Sequence, residues 1–186
     1  MKILAFAATT STTSINRQLI DYATRLLDDG LVDDVEVEYI DLNDYEMPIY
    51  SIDRENETGI PRAAHDFFAK IGAADAVLIS FAEHNGFYTA AYKNIFDWAS
   101  RIDMRVYQGK PAVMLSTSVG PRGGGNVLNT AVMSGQFFGY DVAASLAIPS
   151  FHENFDTATG ALSNAELDEQ FRAALTTLND TAGVPA

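Results

Sequence analysis

Residues 75–98 read DAVLISFAEHNGFYTAAYKNIFDW, and this stretch decides the fold. A nearly continuous apolar run, 75–81, leads into the polar turn EHNG at 83–86, and an aromatic-rich segment follows from residue 89. An uninterrupted apolar run is typical of a strand buried on both faces of a parallel sheet. Open α/β sheets bind ligands where such strands end, so this turn is the first place to look for function.

Strand-like and helix-like segments alternate on both sides of this stretch. Strands are predicted at 2–8, 34–40, 75–81, 111–117 and 140–149, and helices at 14–27, from Pro61 onwards, at 89–101, 126–139 and 163–179, with a loop at 41–60. Five alternations predict a central parallel five-stranded sheet covered by helices on both faces. Right-handed crossovers make this a flavodoxin-like, doubly wound three-layer α/β sandwich, here a single domain over residues 1–186.

The amino-acid composition excludes several classes of partner and of active site. The 25 acidic residues outnumber the 12 basic ones, and the formal net charge of −13 argues against nucleic acid or an anionic membrane as a partner. A solvated surface, a saline source or an acidic docking face would each explain this charge. With no cysteine there is no disulfide, thiolate nucleophile or Cys-ligated metal, and no metal-ligand spacing occurs. No apolar run reaches membrane-span length and no signal peptide is recognisable, so we expect a cytoplasmic protein.

The first predicted strand is followed by a loop rich in hydroxyl groups, AATTSTTSINRQL at 7–19. Thr9, Ser11 and Ser14 are spaced to surround a phosphate, and the N-terminus of the next helix favours an anion. The loop has neither glycine nor lysine, so it is not a Walker loop. Alternatively, the hydroxyls satisfy only the turn backbone and Ser14 caps the helix.

Two further loops follow central strands. In the second loop, Glu83, His84 and Asn85 form either an acid/base group, an edge for a flat ligand beside Gly86, or an ordinary helix-entry turn. The third loop, STSVGPRGGGN at 116–126, offers hydroxyl donors and a glycine-rich backbone for the edge of a ligand. We expect all three loops to converge at one edge of the sheet, since strands in a parallel sheet end on the same side.

At these residues the chain resembles the NAD(P)H-dependent FMN reductase family, over roughly residues 2 to 150. The second loop and the following helix match the family form P-E-Y-N-G-S-x-P-x-x-L-K-N-A-x-D-W at Glu83, Asn85, Gly86, Lys93, Asn94, Asp97 and Trp98. The first loop matches at Thr9, Ser14 and Asn16, and the third at Ser116, Thr117, Ser118, Gly120, Gly123 and Gly124. The chain departs from the family form at Ser11, in place of an arginine, and at Ala82, His84, Phe87 and Thr89.

The resemblance implies an FMN-dependent oxidoreductase that takes hydride from NADPH or NADH. The phosphate would be held by Thr9, Ser11, Ser14, Ile15 and Asn16, the flavin ring by Glu83, His84, Asn85 and Gly86, and its polar edge by Ser116, Thr117, Ser118, Gly120 and Gly123. A quinone, azo compound, free flavin or metal oxyanion would then be reduced in a ping-pong cycle. The flavin carries this chemistry, so no catalytic side chain is required, although His84 could protonate the acceptor.

Two alternatives differ in class from this enzyme. A flavodoxin-like electron carrier without pyridine-nucleotide activity is favoured by the acidity and by the Thr/Ser loop. A serine hydrolase is disfavoured because no G-x-S-x-G elbow occurs.

A homodimer or homotetramer is a further expectation from the resemblance. The segment 89–101 carries Tyr92, Ile95, Phe96 and Trp98, more large apolar surface than one buried stripe requires. The alternative is that these side chains lie beneath the loop at 41–60.

Overall fold

A computed structural model describes residues 1–181 of the protein. In chain order its elements are β1 (Lys2–Ala7), α1 (Ile15–Leu26), a π-helical turn (Leu27–Leu31), β2 (Glu36–Tyr39), a 3-10 turn (Leu42–Tyr45), α2 (Ile52–Thr58), α3 (Arg62–Ala73), β3 (Ala76–Phe81), β4 (Glu83–His84), β5 (Phe87–Tyr88), α4 (Ala90–Ala99), β6 (Lys110–Thr117), α5 (Gly125–Phe138), β7 (Tyr140–Ile148), α6 (Phe151–Asn154), β8 (Phe155–Asp156), β9 (Ala161–Leu162), α7 (Ala165–Thr176) and a 3-10 turn (Thr177–Thr181).

Five strands form one parallel sheet in the order β2-β1-β3-β6-β7. The chain first winds outward from β1 to β2, then returns to β3 and winds the other way. The order therefore reverses between β1 and β3, which is where doubly wound sheets open a crevice for ligands. The predicted flavodoxin-like sheet of five parallel strands is confirmed.

Successive residues of the central strands face opposite sides of the sheet, and each side has its own core. On one side Ile3 and Ala5 pack with the buried faces of α1 and α7. On the other side Leu4 and Phe6 pack with α3, α4 and α5. Because both faces are covered, β3 is buried along its whole length, as its apolar sequence predicts. No helix within residues 1–181 has the length and apolarity needed to span a bilayer.

The segment predicted as a loop at 41–60 contains the helix α2 and the 3-10 turn before it. Ser51 caps α2 by accepting a hydrogen bond from the Arg54 backbone N–H at 3.2 Å. None of the α2 residues is buried, so the helix has no apolar stripe that periodicity would reveal.

This same segment covers Asn94 and Trp98 on α4. The Trp98 indole donates to the Pro48 carbonyl at 2.8 Å, and the Asn94 amide donates to the Met47 carbonyl at 3.1 Å. Tyr92, Ile95, Phe96 and Trp98 are all buried within the chain. The inference of an oligomer from surplus apolar surface on this helix was therefore wrong. Trp98 lies beneath this loop, and Tyr92 and Phe96 pack against Tyr107 and Phe138 of the same chain.

The strand β2 lies at one edge of the sheet and carries a partly exposed ionic cluster. The Glu38 carboxylate lies 2.7 Å from the Lys2 ammonium and also contacts the Lys70 ammonium. These hydrogen bonds, from Lys2 first and then Lys70, lower the pKa of Glu38.

Candidate functional site

Three loops leave the sheet at its carboxyl edge and are hydrogen-bonded to each other. Adjacent strands are in register near their ends, with Ala7 opposite Ser80 and Phe81 opposite Ser116. Thr89, at the end of the second loop, donates its hydroxyl to the Ala8 carbonyl at 2.9 Å and also caps α4. The predicted convergence of the three loops is confirmed by these contacts.

Asn16 connects the first loop to the third through the interior. Its side-chain oxygen accepts from the Ser80 hydroxyl at 2.8 Å and from the Thr117 N–H at 3.0 Å. Its side-chain nitrogen donates to the Thr117 carbonyl at 3.1 Å, and the residue is only 3% exposed. The amide predicted to touch a phosphate thus holds the two loops together instead of facing outward.

The first loop presents unused backbone donors to the surface. Within residues 1–181 the N–H groups of Thr10, Thr12, Thr13 and Ile15 have no hydrogen-bond acceptor. Ser14 caps α1 as the sequence predicts, since its hydroxyl oxygen accepts from the Asn16 N–H at 3.1 Å. No acidic residue lies in the first turn of α1, so nothing competes with an anion for these donors and for the helix dipole.

Arg17, the base nearest to this loop in sequence, is directed elsewhere. Its guanidinium bonds the Asp41 carboxylate at 2.8 Å and lies 5.4 Å from the centre of the Tyr39 ring. Burial alone would raise the pKa of Asp41, but hydrogen bonds from Asn43 and Arg17 lower it, so the pair stays charged. The first loop can therefore offer N–H groups, hydroxyls and a helix terminus to an anion, while the Arg17 guanidinium is held by Asp41.

The second loop is a β-hairpin formed by β4 and β5, a structure that none of its three sequence interpretations included. Asn85 and Gly86 form its two-residue turn and both have positive φ, 54° and 79°. This is the backbone of a type I′ turn, for which Asn-Gly is the preferred sequence, so the dipeptide was the overlooked signal. His84 is exposed, and the Phe87 ring is 46% exposed beside it.

Glu83 links this hairpin to the helix that follows the third loop. Its carboxylate accepts from the Val127 N–H at 3.0 Å, in the first turn of α5. The N-cap of α5 is Gly124, which has no side chain to satisfy that turn. A carboxylate at a helix N-terminus is stabilising, so Glu83 acts as a substitute cap and not as a free acid.

The third loop divides into inner and outer residues. Ser116 donates to the Gly123 carbonyl at 2.7 Å and Thr117 to the Ile148 carbonyl at 2.8 Å, and both are buried. Gly123 has φ +58°, and a Cβ there would lie 2.7 Å from the Ile148 carbonyl group, so only glycine fits. Ser118 and Gly120 are half-exposed and remain at the surface of the site.

These features fit FMN in three respects. The donors at the start of α1 match a phosphate dianion, the hairpin turn lets backbone approach a flat ring, and Ser118 with Gly120 supplies a polar edge. Of the predicted site residues, Asn16, Glu83, Ser116 and Thr117 have side chains that hold the loops in place. Ser80 and Thr89 perform the same task and were missed, although Ser80 is conspicuous as the polar residue in an apolar strand.

The fold and the loop cluster define a flavodoxin-like α/β protein whose first βα loop has backbone N–H groups without acceptors among the described residues. Residues 1–153 match the model of the NADPH-dependent FMN reductase family, and the chain belongs to that family. It is 32% identical over 120 residues to an NAD(P)H-dependent FMN reductase of Pseudomonas aeruginosa and 32% identical over 124 residues to an NADPH:quinone oxidoreductase of Arabidopsis thaliana. These alignments cover 64% and 67% of this chain and 61% of the length of each relative.

Solved structures show the same fold. FerB, a flavoenzyme NAD(P)H:(acceptor) oxidoreductase from Paracoccus denitrificans, superimposes with a TM-score of 0.74 at 21% identity, covering 96% of this chain and 95% of that one. An FMN-dependent NADH-azoreductase of Bacillus anthracis, solved with FMN, gives a TM-score of 0.66 at 12% identity over 96% of this chain and 100% of its own. At these identities the likeness concerns the fold alone.

Proposed function

We propose that the chain is an FMN-dependent oxidoreductase that passes hydride from NADH or NADPH to a small acceptor, such as a quinone, azo compound, free flavin or metal oxyanion, by a ping-pong mechanism. The observation that carries this proposal is the set of unused N–H groups at the start of α1, beside the hairpin on the same sheet edge. FMN, when bound, supplies the hydride-accepting and electron-donating chemistry.

The phosphate is assigned to the first loop. The four free N–H groups from Thr10 to Ile15 donate to its oxygens, and the Ser11 hydroxyl is exposed beside them. The oxygens of Thr9 and Ser14 already accept backbone N–H groups, but each hydroxyl still has a proton to donate. Asn16 holds this loop against the third loop.

The ring is assigned to the space between the second and third loops. The backbone of Asn85 and Gly86 can approach its edge because both residues are already in the turn conformation. Phe87 provides exposed apolar surface for an acceptor, and His84 provides an exposed imidazole that can hydrogen-bond it. A small flat acceptor suits this open arrangement.

The phosphate assignment is tested by replacing Thr9, Ser11 and Ser14 together with alanine. Charge-assisted hydrogen bonds contribute on the order of 1.5–3 kcal/mol each, so FMN binding should weaken by roughly 3 kcal/mol, about two decades in affinity. Riboflavin, which has no phosphate, should lose much less. Arg17→Ala should also matter less, since its guanidinium is bonded to Asp41. Binding of both flavins is measured by the quenching of their fluorescence. Equal losses of affinity for FMN and riboflavin would mean that the loop is only a structural turn.

A flavodoxin-like electron carrier is the second candidate function. The helices α1 and α7 share one side of the sheet and carry the exposed acids Asp21, Glu166 and Glu169, a charge that suits docking to a basic protein. Steady-state kinetics with NADH and a quinone separates the two. Parallel double-reciprocal lines support the reductase, and absence of NADH oxidation by FMN-loaded protein supports the carrier.

We also propose a homodimer or homotetramer, on different evidence from the aromatic helix. Met133 and Phe137 lie one turn apart on α5 and are 75% and 65% exposed. Adjacent large apolar side chains at this exposure are typical of an interface. Light scattering should return a multiple of the 20.2 kDa chain mass, and Phe137→Ser should shift it toward the monomer. A wild-type particle of one chain across the micromolar range would contradict the proposal.

A further inference from the structure

A cavity of about 270 Å³ opens beside the first loop, on its β2 side. Its walls combine the loop after β2 with the first turns of α4, and include Thr10, Asn43, Glu46, Met47, Asn94 and Ile95. Thr10 also belongs to the loop assigned to the FMN phosphate. The cavity therefore adjoins the proposed flavin site without being part of it.

Most of the polar side chains in this cavity are already occupied. Asn43 donates to the Thr10 carbonyl at 3.1 Å, and Asn94 both donates to the Met47 carbonyl and accepts from the Tyr50 N–H at 2.9 Å. Glu46 differs, because its carboxylate is exposed and has no hydrogen bond or ion pair with any described residue. Glu46 is thus a free acceptor in the lining of a cavity whose walls carry both polar and apolar side chains.

Among the residues that the structure describes, no lysine or arginine lines this cavity. The nearby bases are engaged elsewhere, since Arg17 is paired with Asp41 and Lys93 with Asp97 at 2.6 Å. The local field at the mouth of the cavity is therefore set by the Glu46 carboxylate, in a chain whose net charge is −13. A second phosphate at this position would meet repulsion without a compensating cation.

We infer that this cavity binds the adenosine end of the reductant and selects NADH over NADPH, an inference that rests on the proposed function. Glu46 accepts hydrogen bonds from the 2′- and 3′-hydroxyls of the adenosine ribose, as acidic residues do in other dinucleotide sites. Met47, which is partly exposed in the lining, offers apolar contact to the adenine. The 2′-phosphate of NADPH replaces a hydroxyl donor with a dianion facing the carboxylate, so both a hydrogen bond and a favourable charge arrangement are lost.

Relatives differ in the reductant for which they are named. The Arabidopsis relative is an NADPH:quinone oxidoreductase, and the Pseudomonas relative is an NAD(P)H-dependent FMN reductase. A preference for NADH would arise here from Glu46 and from the absence of a base in the lining of the cavity.

Binding of ADP-ribose and of 2′-phospho-ADP-ribose, measured by calorimetry, tests the inference without any turnover. The titrations use the protein as purified and again with FMN added. We expect ADP-ribose to bind at least tenfold more tightly than its 2′-phosphorylated form, the discrimination that one charge-assisted hydrogen bond provides. Equal affinities, or no binding of ADP-ribose, would overturn the inference.

Variants then assign the discrimination to one side chain. Glu46→Gln should reduce the ratio of the affinity for ADP-ribose to that for 2′-phospho-ADP-ribose several-fold. Glu46→Arg should reduce this ratio at least tenfold or reverse the preference. Glu169→Arg makes the same change in net charge on α7, on the opposite side of the sheet, and should leave the ratio as in the wild type. An equal change in both arginine variants would show only a long-range effect of charge and would overturn the role of Glu46.

Kinetics with NADH, NADPH and reduced nicotinamide mononucleotide completes the test. Because the mononucleotide lacks adenosine, its kcat/KM should fall well below that of NADH and should not change in Glu46→Arg. Turnover with no preference between NADH and NADPH would contradict this inference alone. Selective binding of ADP-ribose by a protein that oxidises neither nucleotide would contradict the proposed function alone.

Discussion

Removal of the Asn16 amide should loosen both the fold and the candidate site. In Asn16→Ala the Ser80 hydroxyl and the N–H and carbonyl of Thr117 lose their partner in a buried region. A buried hydrogen bond contributes about 1 kcal/mol net, and an unsatisfied buried group costs about 1–3 kcal/mol. Three lost bonds therefore predict a decrease of about 3–4 kcal/mol in the free energy of unfolding, a large share of the roughly 5–15 kcal/mol of a typical domain.

Urea denaturation of the protein without FMN measures this loss directly. Asn129→Ala is the matched control, because Asn129 is exposed on α5 and its replacement should change the free energy by less than about 0.5 kcal/mol. Asn16→Asp should also be destabilised, since an oxygen replaces the donor to the Thr117 carbonyl. Burial should raise the pKa of that new carboxyl, so this variant should regain stability as the pH falls and the carboxyl is protonated. A loss below about 1 kcal/mol in Asn16→Ala would refute the reasoning.

Three further changes test the framework around the site, all by urea denaturation. Glu38→Gln should have a lower free energy of unfolding than the wild type at pH values above the ordinary carboxyl pKa. This difference should disappear as the pH falls through the lowered pKa of Glu38. A difference that does not depend on pH would contradict the ionic role of Glu38. Gly123→Ala should lower the free energy of unfolding by about 2 kcal/mol or more, because the new Cβ is both strained and overpacked. Gly125→Ala, where a Cβ meets nothing within 4 Å, should be nearly neutral. Trp98→Phe should cost about 1 kcal/mol through loss of its bond to Pro48, and no loss would mean that the bond is not formed in solution.

The sheet was predictable from sequence because its central strands, β1, β3 and β6, are buried on both faces. The run 76–81 is apolar except for Ser80, and the helices between the strands carry clear apolar stripes. The role of Ser14 was also predictable, since helix capping depends only on residues next to it in the chain. Local rules of this kind fixed the positions of the three loops.

The parts that sequence did not reveal depend on distant contacts or on short elements. Asn16 bonds Thr117 across 101 positions, so its buried role cannot be read from its neighbours. The burial of Trp98 likewise depends on a loop about 50 residues earlier in the chain. The hairpin at Asn85 and Gly86 is different, because its signal was local and was interpreted as a ligand contact instead.

The most direct test of the proposed function is an anaerobic titration of the purified, FMN-loaded protein with NADH and, separately, with NADPH. The account predicts a yellow protein whose visible flavin absorbance is lost on addition of NADH and returns when a quinone is added, with NADPH less effective. A yellow protein that neither nucleotide bleaches would contradict the reductase and favour the electron carrier. A colourless protein that does not take up FMN would contradict both.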